Sequence, residues 1–155
     1  MNTLLRVATL VAATSLTWAM PAAAHESGTA DAEKLRRLDI MLMVTGLRCR
    51  AGEDNFQADF QAFEAGHIAE LNGAARTLRN DLVARFGPRG ADRELDRIST
   101  TMANAYGNGH PWLGCHELKQ AARMLADAQG EAPLLAAADE LLHGDSPQIA
   151  YAADH

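Results

Sequence analysis

The chain has 155 residues, which is the size of one domain and leaves no room for a cofactor domain beside a substrate domain. Aromatic residues make up only 5% of it, too few for an all-β sandwich or for a surface that stacks nucleic-acid bases. The 14 Lys and Arg against 20 Asp and Glu give a formal net charge of −6. This acidic balance disfavours binding to nucleic acid or to an anionic membrane surface.

Residues 1–24 have the pattern of a cleaved secretory signal peptide. A single basic residue, Arg6, precedes an apolar run from Val7 to Met20, and the segment ends in Pro21 and three alanines. The run is short for a membrane span, and the alanines form a small-residue cleavage site. We therefore expect cleavage after Ala24, export of the chain, and no stable membrane insertion after cleavage.

The remaining sequence predicts helices, beginning after a polar segment at residues 25–32 that we expect to be flexible. The first predicted helix runs from Glu33 to Arg50, and Gly52 ends it. Its inward face, with residues three or four apart, holds Leu35, Leu38, Leu42, Thr45 and Cys49, flanked by Met41 and Val44.

The second predicted helix is long. Asp54 and Gln57 form a capping pair at its start, and Gly87-Pro88 ends it. The spacing stays at three or four residues along its whole apolar face, so we predict one continuous helix. That face holds Phe56, Phe60, Phe63, His67, Leu71, Ala75, Leu78, Leu82 and Phe86.

Three shorter helices are predicted after this one. They run from about Ala91 to Tyr106, from Cys115 to Gln129, and from Pro133 to near His143, and residues 145–155 are predicted to be a frayed tail. Amphipathic helices joined by short turns must bury their apolar faces against one another. We therefore predict a single all-α domain at residues 33–144, an up-and-down bundle of four to five helices.

The chain has two cysteines, Cys49 and Cys115, at the ends of predicted helices. Because export delivers the chain to an oxidising compartment, we predict that they form one disulfide.

The best candidate for function is the connection between Tyr106 and His116. It concentrates His110, Trp112 and His116 among three glycines, and loops held by rigid helices often bind partners. We therefore predict a partner-binding loop at these three residues. In the alternative interpretation, Trp112 covers the core and both histidines are solvated.

A second hypothesis makes the chain a metal- or haem-binding bundle that uses His110 and His116, joined by His67 if the second helix packs beneath the loop. Cys115-His116 matches the end of a C-x-x-C-H haem motif, but Trp112 stands where the first cysteine is required. His67 lies on the apolar face of the second helix and is predicted to be a buried core histidine. We predict no cofactor.

No catalytic motif was found, because the chain lacks the H-E-x-x-H, G-x-S-x-G, P-loop and G-x-G-x-x-G patterns. The carboxylates on the second helix show no convergent spacing: Asp54, Asp59, Glu64 and Glu70. The sequence therefore favours a non-enzymatic binding or envelope-stress module with an unidentified protein or small-molecule partner.

Three segments resemble a family of small exported helical proteins of sphingomonad-type alphaproteobacteria: Leu38–Cys49, Asp59–Phe63 with His67, and Thr101–Cys115. The resemblance extends over most of residues 33–128. It implies a Gram-negative periplasmic or secreted setting and supports the cysteine pair, but it implies no activity. Some members carry the name S-adenosylhomocysteine hydrolase. An enzyme of that name is expected to be a much longer NAD-binding protein with a Rossmann glycine motif. This chain has neither the length nor the motif, so that activity is not expected here.

Overall fold

The computed structural model describes residues 22–143, and five helices account for most of this part of the chain. They are α1 (Ala22–Cys49), α2 (Gln57–Gly66), α3 (Ile68–Ala105), α4 (Cys115–Asp127) and α5 (Glu131–Leu141). No strand occurs within these residues, so the predicted all-α class is confirmed. Residues 1–21 of the predicted signal peptide and the predicted tail at 145–155 lie outside the described residues.

Helix α1 begins earlier than the sequence predicts. Residues 25–32, expected to be a flexible segment, belong to the helix instead. Ala32 is buried in the core, and the side chains of Glu33 and Arg37 form an ion pair at 3.1 Å one turn apart, so packing and a local pair both support this end. The predicted inward face is confirmed by the burial of Leu35, Leu38, Leu42, Thr45 and Cys49.

The prediction of one long helix from Asp54 to Phe86 is wrong at its start and near its middle. The N-cap of α2 is Phe56, and the side chain of Asn55 rather than Asp54 supports the start of the helix, since its Oδ1 accepts the backbone N–H of Gln57 at 3.0 Å. The helix then breaks at His67, whose φ and ψ are −117° and 23°. Phe86 is 48% exposed and does not belong to the buried face.

The break at His67 coincides with a close approach of α4. A Cβ placed on Gly66 would lie 3.6 Å from the carbonyl oxygen of Ala126, and the His67 ring bonds to the carbonyl of Leu125 at 2.8 Å. The helix therefore bends at the point where α4 crosses it.

Helix α3 reverses direction at Gly87, where the predicted Gly87-Pro88 stop lies. Gly87 has φ 69° and ψ 170°, a combination that is almost restricted to glycine. Arg79 Nε lies 2.9 Å from Asp92 Oδ1. The two residues are 13 positions apart in the sequence, which in a continuous helix corresponds to about 20 Å. The two arms of α3 (residues 68–86 and 88–105) must therefore fold back on each other.

Pairs of contacts show the direction in which each helix runs. Arg36 reaches Ser99 and Arg48 reaches Gly107, so the second arm of α3 runs parallel to α1. Asp54 and Asp59 of the α2 region pair with His116 and Arg123 of α4, so α2 and α4 run in the same direction. The Cys49–Cys115 bridge joins the end of α1 to the start of α4, so this direction is opposite to that of α1. The first arm of α3 continues in the direction of α2 until the reversal at Gly87. The direction therefore alternates between α1, the bent segment of α2 and the first arm, the second arm and α4, which confirms the up-and-down bundle. No helix within residues 22–143 is long and apolar enough to cross a membrane.

The buried side chains form two clusters. The main cluster joins α1 to α2, α4 and α5, and its largest fully buried members include Tyr106, Phe56, Phe63, Leu118 and Leu134. A smaller cluster between α1 and the two arms of α3 contains Ile40, Leu82, Ala91, Ile98 and Met102. Val44 and Leu95 pack against both clusters and connect them.

The predicted disulfide is confirmed. The Sγ atoms of Cys49 and Cys115 are 2.01 Å apart and their Cα atoms 5.7 Å apart. The bridge joins the last residue of α1 to the first residue of α4. It therefore fixes the end of the bundle at which the predicted partner-binding loop lies.

Candidate functional site

The loop between α3 and α4, residues 106–114, is held at several points. The disulfide at Cys115 fixes its end, and Arg48 Nη1 donates to the carbonyl oxygen of Gly107 at 3.0 Å. Gly109 has a φ of 103°, a conformation that glycine adopts without strain. Its N–H donates to the carbonyl oxygen of Tyr106 at 2.9 Å, which closes a tight turn. The loop therefore presents its side chains from a fixed backbone.

His110 is the central anchor of this loop. Its Nε2 lies 2.9 Å from the carbonyl oxygen of Leu141 at the end of α5. Because a carbonyl oxygen only accepts, Nε2 carries the proton, and Nδ1 accepts the backbone N–H groups of Leu113 at 3.2 Å and Trp112 at 3.4 Å. Both ring nitrogens are thus used within the protein, so His110 positions the loop and offers no lone pair to a metal.

Trp112 lies on this anchor with much of its surface open to solvent. Its ring meets that of His110 edge to face, with centroids 4.7 Å apart, and the His110 ring stacks in turn on Tyr106 at 6.0 Å. The side chain is 50% exposed. The alternative interpretation expected Trp112 to cover the core. About half of the residue is exposed instead, so its indole is available for contact.

His116 faces a different neighbour. Its Nδ1 lies 3.3 Å from Asp54 Oδ1, and its Nε2 accepts the side-chain amide of Gln120 at 2.9 Å. These contacts direct the ring toward the start of α2. The structure therefore brings His110 and Trp112 together and places His116 apart from them.

His67 is buried, as predicted, at the junction of α2 and α3. Its Nε2–H donates to the carbonyl oxygen of Leu125 at 2.8 Å, and its Nδ1 has no hydrogen-bond partner among the described residues. The three histidines proposed as ligands make separate contacts and do not converge. Within residues 22–143 no group of three or more His, Cys, Asp or Glu side chains could hold a metal ion.

A groove between α4 and α5, with a volume of about 330 Å³, lies next to the loop. Leu113 and Leu141 belong to its lining, so the groove begins directly beside Trp112 and the His110 anchor. The volume lies at the lower end of the range that small-molecule sites occupy. Its lining residues are Leu113, Glu117, Gln120, Ala121, Met124, Leu125, Ala128, Pro133, Ala137, Glu140 and Leu141.

The groove has two chemically different ends. Glu117 lies in the first turn of α4 and Glu140 near the end of α5, so both carboxylates lie at the end beside the loop. The other end is lined by Ala128 and Pro133, next to the short connection 128–130 that joins the two helices. The groove therefore changes from acidic to apolar along its length.

The cations of α4 lie on the side away from this groove. Lys119 Nζ donates to the carbonyl oxygen of Glu53 at 2.9 Å, and Arg123 Nε lies 3.2 Å from Asp59 Oδ1. Both contacts are with α2 or the turn before it. Because the groove lining contains no Lys, Arg or His, its charged side chains are the two carboxylates alone.

Sequence reasoning missed the groove, although one signal was present. Met124 precedes Leu125 on α4, outside the apolar face that the spacing predicts, and it is 69% exposed. A flexible thioether exposed on a helix surface is typical of adaptable binding sites. The apolar residue off the buried face therefore marked the side of α4 that lines the groove.

Comparison of the chain with protein-family models, with curated proteins and with solved structures finds no match.

Proposed function

We propose that the protein is a non-enzymatic binding module that takes an apolar ligand into the groove between α4 and α5. The observation that carries this proposal is the open groove of about 330 Å³, whose lining residue Leu113 directly follows half-exposed Trp112 in the chain. Exposed apolar surface beside a concave site is costly in water and is typical of binding sites. His110 beside it is used in backbone hydrogen bonds, and His116, which faces α2, is used in hydrogen bonds to Asp54 and Gln120, which supports binding rather than catalysis.

The proposal places this module in the periplasm or outside a Gram-negative cell. The signal-like pattern of residues 1–24 and the Cys49–Cys115 bridge support this setting, because disulfides persist in oxidising compartments. Cell fractionation followed by mass spectrometry tests it. We expect the chain to start at His25 in the exported fraction, and an intact N-terminus in the cytoplasm would contradict the export proposal.

A neutral fluorescent probe, N-phenyl-1-naphthylamine, tests the groove itself. Ala137 lines the groove and is half-buried, so Ala137→Phe would fill it, whereas neighbouring Ala136 is exposed and lies outside the lining. We expect Ala137→Phe to abolish most of the probe fluorescence and Ala136→Phe to retain it. Circular dichroism verifies that both variants keep their helices. Equal probe binding by the two variants would contradict the proposed site.

A further inference from the structure

We propose that the ligand of this groove is an amphiphilic cation, a single cationic headgroup attached to an apolar chain. The inference rests on the proposed function and adds the chemical class of its ligand. It depends on two properties of the groove: its charge and its change of polarity along the helices.

The charge of the groove selects the sign of the headgroup. Glu140 forms no hydrogen bond or ion pair with other described residues, and Glu117 engages Oε2 with the N–H of Gly114 at 3.0 Å. Since Lys119 and Arg123 are held against α2, nothing in the lining neutralises these carboxylates. An anionic headgroup would meet like charge, whereas a cation would form two ion pairs.

Trp112 adds a second feature that favours a cation at the same end. Its indole is half-exposed next to Leu113 and packs on the ring that is bonded to Leu141. An exposed aromatic ring can attract an organic ammonium group to its face. The proposed headgroup position is therefore the end of the groove lined by Glu117 and Glu140, where lining residue Leu113 follows Trp112 in the chain.

The apolar part of the groove selects an apolar chain attached to the headgroup. Beyond Gln120 the lining residues are apolar up to the connection 128–130, where α4 is joined to α5. A chain that lies along this part of the groove would bury its surface against these side chains. Residues 144–155 of the protein fit less well, because their only formal charges are the carboxylates of Asp145 and Asp154.

Three probes that share a decyl chain test the inference: decyltrimethylammonium, decyl sulfate and decyl maltoside. Each is titrated below its micelle-forming concentration into protein expressed from the full-length coding sequence, with Trp112 fluorescence as the readout and Trp112→Phe as the spectral control. Two partly exposed ion pairs together correspond to about a tenfold difference in affinity. We expect the ammonium probe to bind about tenfold more tightly than the maltoside, and the sulfate to bind most weakly.

The variant Glu117→Gln/Glu140→Gln should remove the preference for the ammonium headgroup without removing binding of the maltoside. Glutamine keeps an acceptor for Gly114, and Glu131→Gln, on α5 but outside the groove lining, serves as the matched control.

The outcomes separate this inference from the proposed function. Equal binding of all three probes would overturn the cation but keep the groove, whereas no binding of any probe would overturn both. Self-association in sedimentation that Ala137→Phe abolishes would identify a second copy as the occupant and would also overturn the inference. Increased binding of the maltoside by Ile149→Asp would also overturn the inference, because it would show that the protein's own C-terminal segment occupies the groove.

Discussion

Reduction of the Cys49–Cys115 bridge should lower the free energy of unfolding by about 4 kcal/mol. The two cysteines are 66 residues apart, and the loop they close contains α2 and both arms of α3. In the chain-entropy model, closing a loop of this length removes enough freedom from the unfolded chain to give that value. With a urea dependence of about 2 kcal/mol per molar for a domain of this size, the unfolding midpoint should fall by about 2 M.

Urea unfolding followed by far-UV circular dichroism, with and without reductant, measures this loss on identical side chains. The variant Cys49→Ala/Cys115→Ala is the control, because its curve should not respond to reductant. A wild-type midpoint that falls by less than about 0.5 M would refute the reasoning, since it would mean that the unfolded chain is already constrained without the bridge.

Three further predictions concern individual residues. Gly87→Ala should destabilise the fold by about 1–3 kcal/mol, because φ 69° and ψ 170° suit glycine alone. Gly73→Ala, in a regular helical turn, should instead stabilise the fold by about 0.5–1 kcal/mol. Equal urea unfolding midpoints for the two variants would contradict both predictions. Burial raises the pKa of the Asp39 carboxyl above its ordinary value of 3.8, although Arg36 acts in the opposite direction. The folded state therefore favours the protonated carboxyl. The stability that this proton binding adds is fully present below pH 3.8 and is lost as the pH rises through the raised pKa. Asp39→Asn should therefore be more stable than wild type at pH 7, with a difference that shrinks below pH 4 in thermal unfolding. His110→Ala should cost about 1–2 kcal/mol and speed hydrogen exchange at the amides of Trp112 and Leu113, which lose their acceptor; unchanged exchange would exclude the anchoring role.

The inward faces of the helices were predictable from the sequence because burial follows the helical period. Leu35, Leu38, Leu42 and Leu118 are all buried where the spacing places them. The break at His67 was not predictable, because its cause is the approach of Ala126, a residue far along the chain, to Gly66. The local sequence shows only Gly66 at this position, and a helix tolerates a single glycine.

The candidate site was predictable only as a location. The concentration of His110, Trp112 and His116 marked the correct connection, but sequence spacing could not show that His110 bonds to α5 while His116 faces α2. The groove depends on where α5 lies relative to α4, and that placement follows from tertiary packing. The exposed side chain of Met124 was the one feature of the local sequence that indicated the groove.

The separation of the core into two clusters implies that the bundle has a less protected end. The disulfide lies where α1 meets α4, whereas Leu82 and Ala91 of the smaller cluster flank the reversal at Gly87, roughly 27 Å from the other end of the second arm of α3. Opening this end requires no movement of either cysteine, so the bridge cannot restrain it. Amides near Leu82 and Ala91 should then exchange through subglobal openings that are insensitive to the redox state. Amides around Phe56 and Leu118 should exchange only when the whole bundle unfolds.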